Sequence, residues 1–90
     1  MTTTINTAVG VTQRMLPNGH LELVCHTTRR HVECAPAAAA MWIMLKQHDG
    51  DIDRAAAILA GHWNADPAEV RYDMVVLVGS LCAIGLLTEA

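Results

Sequence analysis

The stretch that most restricts how this chain can fold is its last quarter, DPAEVRYDMVVLVGSLCAIGLL, from Asp66 to Leu87. It opens with a full set of helix-start residues. Asp66 suits the cap, Pro67 the first helical position, and Glu69 the place from which a capping-box acid reaches back. Val70, Met74, Leu77, Leu81 and Ile84 then recur at three- and four-residue steps, which puts them on one helical face. Gly85 suits the left-handed residue that ends a helix, and Leu86 and Leu87 are expected to fold back as an apolar lock. The opposite side is unusual. Val75, Val76, Gly79 and Ala83 stand where a surface helix normally carries Lys, Glu or Gln. A helix that is apolar nearly all round is expected to bury a second face against something outside its own domain.

Ninety residues allow one domain with one modest core. The expected division is a loose, Thr-rich lead-in over residues 1–8 and a single domain over 9–90. Lys46, Asp49, Asp51, Asp53 and Arg54 interrupt the apolar middle, so no run is long enough to cross a bilayer. The opening MTTTINTAVG lacks the basic-then-apolar order of a secretory signal. A cytoplasmic location and no membrane partner are expected. Three cysteines, Cys25, Cys34 and Cys82, form no CxxC pair, which argues against a disulfide framework or a structural zinc site. Six Lys and Arg against a net charge of −3 are a poor supply for displacing counterions from nucleic acid. With no Phe, one Tyr and two Trp, there is no stacking platform for single strands either.

Between Val9 and Met15 the apolar residues Val9, Val11 and Met15 alternate with Gly10, Thr12 and Arg14, the signature of a half-buried strand; Gln13 breaks the apolar series. The following LPNGH reads as a three-residue hairpin loop, with Gly19 in the left-handed position. That loop pairs Met15 with Leu21, Gln13 with Leu23 and Val11 with Cys25, gathering most apolar residues on one face. A second hairpin turns at Thr27, Thr28, Arg29 and Arg30. Pairing His26 with His31 sets Cys25 against Val32 and Leu23 against Cys34. The third strand, about Arg30 to Cys34, is then a short edge with no Pro or Lys to block another strand. The rest reads as helical. APAAAAMWIMLKQ carries Ala38, Met41, Trp42 and Leu45 as its stripe and stops at Asp49-Gly50; a second helix capped by Asp51 or Asp53 offers Ile52, Ala56, Leu59 and Trp63.

No pattern supports catalysis or a cofactor. Cys25, His26, His31 and Cys34 look like a zinc set, but the strand register sends the cysteines inward and the histidines outward, and zinc needs four converging ligands. Asp49, Asp51 and Asp53 begin like a calcium loop, yet Arg54 stands at the required glycine and Ala60 at the final glutamate. Cys82 has no basic neighbour in sequence to lower its pKa and reads as a packed thiol. Asp73 is the one acid beside the core stripe of the last helix. It is either a solvated flank residue, paired with Arg71 or Arg30, or an anchor for a basic or hydroxyl group of a bound peptide.

RRHVEC running into APAAAAMW, then LKQHDG, an Ala-rich helix ending in HW, and the final DPAEVRYDMVVLVGSLCAIGLL together resemble the PqqD-like family. These are the precursor-peptide recognition modules of ribosomal peptide biosynthesis. The likeness spans about Leu21 to Leu87 and rests on the Met41-Trp42 pair, a helix-ending Asp-Gly, an Asp-Met pair before Leu-Val, and a closing Gly-Leu-Leu. Where many members carry Leu-Asn before the first helix, Cys34-Ala35 stands here. The resemblance implies an α+β, winged-helix-like fold, a three-stranded antiparallel sheet followed by three helices. It also implies a leader peptide added as a strand beside the third strand, in a groove walled by the last helix, and delivered to a leader-processing or modifying enzyme. The chain is most similar to the free-standing leader-binding proteins of lasso-peptide pathways, whose partner is a leader-cleaving protease. The pyrroloquinoline-quinone version, serving a radical enzyme, is the alternative.

The expected peptide site is accordingly the strand edge of Arg30, His31, Val32, Glu33 and Cys34. Val70, Asp73, Val76 and Leu77 supply side-chain pockets on the last helix, with no catalytic residue, metal or cofactor. The rival from another class is a DNA-binding winged helix, since fold does not fix function. Such a reader needs basic or polar side chains at the start of its recognition helix, where this chain offers Glu69, Val70, Arg71 and Tyr72. A third reading is a homodimerisation module using Val75 and Val76; the expected state is monomer or weak homodimer.

Overall fold

The structure, a computed structural model, describes residues 5–89. The elements in order are β1 (Ile5–Thr7), β2 (Val11–Met15), β3 (Leu21–Cys25), β4 (Arg30–Cys34), α1 (Pro36–Gln47), α2 (Ile52–Trp63), α3 (Pro67–Ala83) and β5 (Leu87–Glu89). β2, β3 and β4 form an antiparallel sheet in that order, and β1 pairs antiparallel with β5. This is the expected α+β class, with two short strands, β1 and β5, that the sequence pattern did not reveal. The residue 1–8 lead-in is not loose over Ile5–Thr7: Ile5 is buried and pairs across to Glu89. Gly50 makes room for that pairing. It has a φ of +81°, and a Cβ there would collide with the backbone of Ile5. Residues 1–4 of the lead-in lie outside the described residues.

The first hairpin has the expected register, Met15↔Leu21, Gln13↔Leu23 and Val11↔Cys25. The second differs by two residues. Its loop is His26 to Arg29, Arg29 takes a left-handed φ of +60°, and the pairs are Cys25↔Arg30, Leu23↔Val32 and Leu21↔Cys34. An even shift preserves which face each side chain takes, so Leu21, Leu23, Cys25 and Cys34 still point into the core, as expected. The helices cover β3 rather than β2. Val9 precedes β2 instead of belonging to it and is 89% exposed, and Met15 is also exposed, against the half-buried strand expected there.

Gln13 acquires a reason for being polar. Its Oε1 accepts a 2.7 Å hydrogen bond from Nε1 of Trp42, a side chain otherwise sealed in the core. A buried indole N–H without a partner is costly. The Lys46 ammonium lies over the Trp42 ring, 5.7 Å from its centroid.

Asp51 caps α2 by accepting from the Arg54 amide at 3.1 Å. The buried α2 residues are Ala55, Ala56, Leu59 and Ala60. Trp63, expected in the core, is exposed, because the helix ends there and Asn64 turns the chain in the left-handed region. Asp66 caps α3 through the Ala68 amide at 2.9 Å. At the other end the Leu86 amide bonds the Leu81 carbonyl at 2.9 Å and the Gly85 amide bonds that of Cys82 at 3.1 Å, the paired bonds of a Schellman stop. Leu86 and Leu87 are buried as expected. The core face of α3 runs through Val70, Met74, Val78 and Leu81. Leu77 and Ile84, expected at its centre, lie only partly buried on its margin. The helix is rotated slightly from the position its pattern suggested, and Val78 occupies the place given to Leu77.

Candidate functional site

Which main-chain groups the β4 edge offers follows from the ladder beside it. The β2–β3 pairing is flanked by the Leu16 amide bonding the His20 carbonyl at 2.8 Å and the His26 amide bonding the Gly10 carbonyl at 3.0 Å. Alternate residues of an antiparallel strand bond to opposite neighbours. Glu22 and Val24 therefore bond toward β2, while Leu21, Leu23 and Cys25 bond toward β4. Their partners Cys34, Val32 and Arg30 spend their main-chain groups inward. His31 and Glu33 are left facing out. Among the described residues, no backbone hydrogen bond from the rest of the chain reaches them.

The solvent face of the sheet is polar. Glu22 and Glu33 stand directly opposite each other. Arg14 pairs with Glu22 at 3.2 Å, and Nδ1 of His20 lies 2.8 Å from Glu33, so each acid has its own basic neighbour.

α3 supplies the other side of the site. Its Arg71 pairs with Asp53 on α2, which fixes that flank of α3 against its neighbour helix. The opposite flank, through Asp73, Leu77 and Ile84, faces away from α2. Ile84 lines a depression with Thr28, Arg29, Arg30 and His31, so the end of α3 borders the start of β4. Leu77 and Asp73 follow on the same face, roughly 10 and 16 Å back along the axis at 1.5 Å per residue. Val32, Leu77 and Ile84 are each partly buried against the core, leaving apolar surface available. The second free edge of this sheet, β2, borders a separate depression lined by Gln13, Ile43, Lys46 and Gln47.

The site residues expected from sequence therefore separate. His31 and Glu33 offer main chain, and Arg30 and Val32 flank them. Asp73 is exposed and has no ion pair among the described residues; Arg71, one partner considered for it, is taken by Asp53. Leu77 is half-buried and Val76 is 52% exposed, farther round the helix. Val70 and Cys34 do not offer side chains: both are enclosed in the core. Ile84 belongs to this edge and was missed, because its spacing fits the core stripe equally well.

The thiols are unlike one another. Burial pushes the Cys34 thiol up, and burial with the nearby Glu89 carboxylate does the same for Cys82. The Thr28 hydroxyl, and then the Thr28 amide, hold Cys25 below its ordinary value, but Cys25 is 1% exposed. Among the described residues, no group of three or more His, Cys, Asp or Glu is placed to hold a metal, and no helix is long and apolar enough to cross a membrane.

An antiparallel β2–β3–β4 sheet followed by three helices, with a free edge beside the last of them, defines an α+β winged-helix-like module. The same fold occurs in two solved structures. One is TbiB1 in complex with the TbiA(β) leader peptide, with a TM-score of 0.80 at 13% identity, covering 91% of this chain and 93% of that one. The other is a lasso peptide synthetase B1 complexed with the leader peptide, with a TM-score of 0.76 at 16% identity, covering 94% and 98%. At such identities the likeness establishes the fold that the PqqD-like resemblance implied. No protein-family model and no curated protein matches the chain.

Proposed function

We propose that this chain is a non-catalytic, cytoplasmic adaptor of the PqqD-like kind. It binds the leader of a ribosomally made precursor peptide as an added strand on β4 and delivers it to a leader protease of a lasso-peptide pathway. The observation that carries the reading is the outward main chain of His31 and Glu33, with Ile84 at the end of α3 bordering the His31 end of that edge and the half-buried Leu77 on the same helix face. The two structures of the same fold, each holding a leader peptide, support it. Main-chain bonds to the edge supply affinity with little sequence information. Alternate peptide side chains reach the α3 flank, where apolar residues meet Leu77 and Ile84 and a basic or hydroxyl group meets Asp73.

The test is a titration of the labelled leader of the pathway's precursor peptide, followed by fluorescence anisotropy. Binding at tens of micromolar or tighter is expected. Leu77→Ala should weaken it roughly fivefold, since half-burying a Leu contributes about 1 kcal/mol. Asp73→Ala should weaken it less. No binding in that range, or binding indifferent to both substitutions, refutes the adaptor reading. Salt-dependent binding to duplex DNA would favour the winged-helix regulator instead. Delivery is tested separately, by whether the chain accelerates leader cleavage by the partner protease.

A further inference from the structure

We infer that the tip of the β3–β4 hairpin, where Arg29 and Arg30 stand beside Ile84, is a subsite for an acidic side chain of the extended segment that pairs with β4. The inference rests on the adaptor reading and adds a substrate feature to it.

The chain has five arginines. Arg14 is tied to Glu22 and Arg71 to Asp53. Arg29 and Arg30 are adjacent and exposed, and neither has an acidic partner among the described residues, although the chain carries nine acids and a net charge of −3. Both line the depression that ends at Ile84. His31, in the same depression, is the first residue of β4 to turn its main chain outward, so the arginines meet an added strand at one end of its paired stretch. Arg29 sits at a φ of +60°, where Gly or Asn is less costly. Its side chain makes no hydrogen bond within the described fold that would offset that cost. Two guanidinium groups offer planar forks that fit a carboxylate in a bidentate way. The apolar Ile84 beside them suits the side chain next along the same peptide face. The occupant is therefore an extended peptide with Asp or Glu close to an apolar residue.

The test uses a phage-displayed library of random dodecapeptides selected on three proteins: the unaltered chain, Arg29→Glu/Arg30→Glu, and Glu33→Pro. The unaltered chain should enrich peptides with an acid near an apolar residue. A synthetic consensus peptide should bind it roughly three- to tenfold more tightly than the same peptide with Lys in place of the acid. The double reversal should invert that preference. Should it fail to fold by circular dichroism, Arg29→Gln/Arg30→Gln serves instead and should abolish the preference. A preference absent from the outset or unchanged by these substitutions, while Glu33→Pro abolishes enrichment, overturns the subsite and leaves the adaptor. In that event the arginines serve only solvation and the negative end of α3. No enrichment at all, or enrichment indifferent to Glu33→Pro, overturns both.

Discussion

Two neighbouring proline substitutions on β4 should have opposite consequences. The register leaves the Glu33 amide facing out and sends the Val32 amide into the ladder with Leu23. Proline lacks an N–H but tolerates extended backbone at a sheet edge. Glu33→Pro removes no sheet bond; it loses only the exposed contact with His20, worth less than about 1 kcal/mol. Val32→Pro deletes a ladder bond, places a ring against β3, and removes a half-buried side chain, costing about 3 kcal/mol or more. That is a large share of the roughly 5–15 kcal/mol that holds a domain together. For binding the order reverses. A strand added to β4 draws on the N–H and C=O of His31 and Glu33, each bond worth about 0.5–1.5 kcal/mol net. Losing the Glu33 donor and leaving a peptide carbonyl unmatched should cost about 1–2 kcal/mol, roughly 5- to 30-fold in affinity. Urea denaturation followed by circular dichroism measures the first effect and leader anisotropy the second. If Glu33→Pro unfolds the chain as readily as Val32→Pro, the assignment of outward amides is wrong. If it folds and binds unchanged, the peptide does not pair with β4.

Three further outcomes follow from the fold. Gln13→Ala should lower unfolding free energy by about 1–2 kcal/mol, because it leaves the Trp42 N–H with only water that can reach the sheet margin; urea midpoints read this, with Trp63→Phe in the background so that fluorescence reports Trp42 alone. Gly50→Ala should cost about 1–3 kcal/mol and loosen the β1–β5 pair, seen as faster amide exchange at Asn6 and Ala8, whose amides face β5, because φ is positive and the Ile5 backbone fills the space. In the native protein iodoacetamide should modify Cys82 while sparing Cys25 and Cys34. It should do so more slowly at neutral pH than an ordinary thiol and faster as pH rises, because a raised pKa leaves less thiolate.

The sequence was most informative where local chemistry decides the outcome. Asp66 and Gly85 bound α3, Asn18-Gly19 set the first hairpin, and alternation assigned the inner face of β3. The second hairpin slipped because four polar residues at its tip carry no single turn signature, and a two-residue shift leaves the apolar pattern intact. Ile5–Thr7 and Leu87–Glu89 were invisible because three-residue strands show no period, and their pairing joins opposite ends of the chain. Gln13 appeared as a flaw in a strand until the fold brought Trp42 to it. At the candidate site the edge strand was legible, but the α3 flank was not. A helix apolar on most sides gives little sign of its rotation, so Val70 was given both to the core stripe and to the peptide pocket, and Ile84 to the core alone. Only the packing of α3, with Arg71 held to Asp53 on α2, distinguishes them.

Backbone amide exchange of β4, followed by NMR with and without saturating leader peptide, tests strand addition most directly. In the free protein the Arg30, Val32 and Cys34 amides should exchange slowly and those of His31 and Glu33 quickly; adding the leader should slow His31 and Glu33 at least about tenfold. Unchanged exchange at those two amides, or new protection at Gln13 and Met15 on the outer side of β2, would contradict the placement of the peptide on β4.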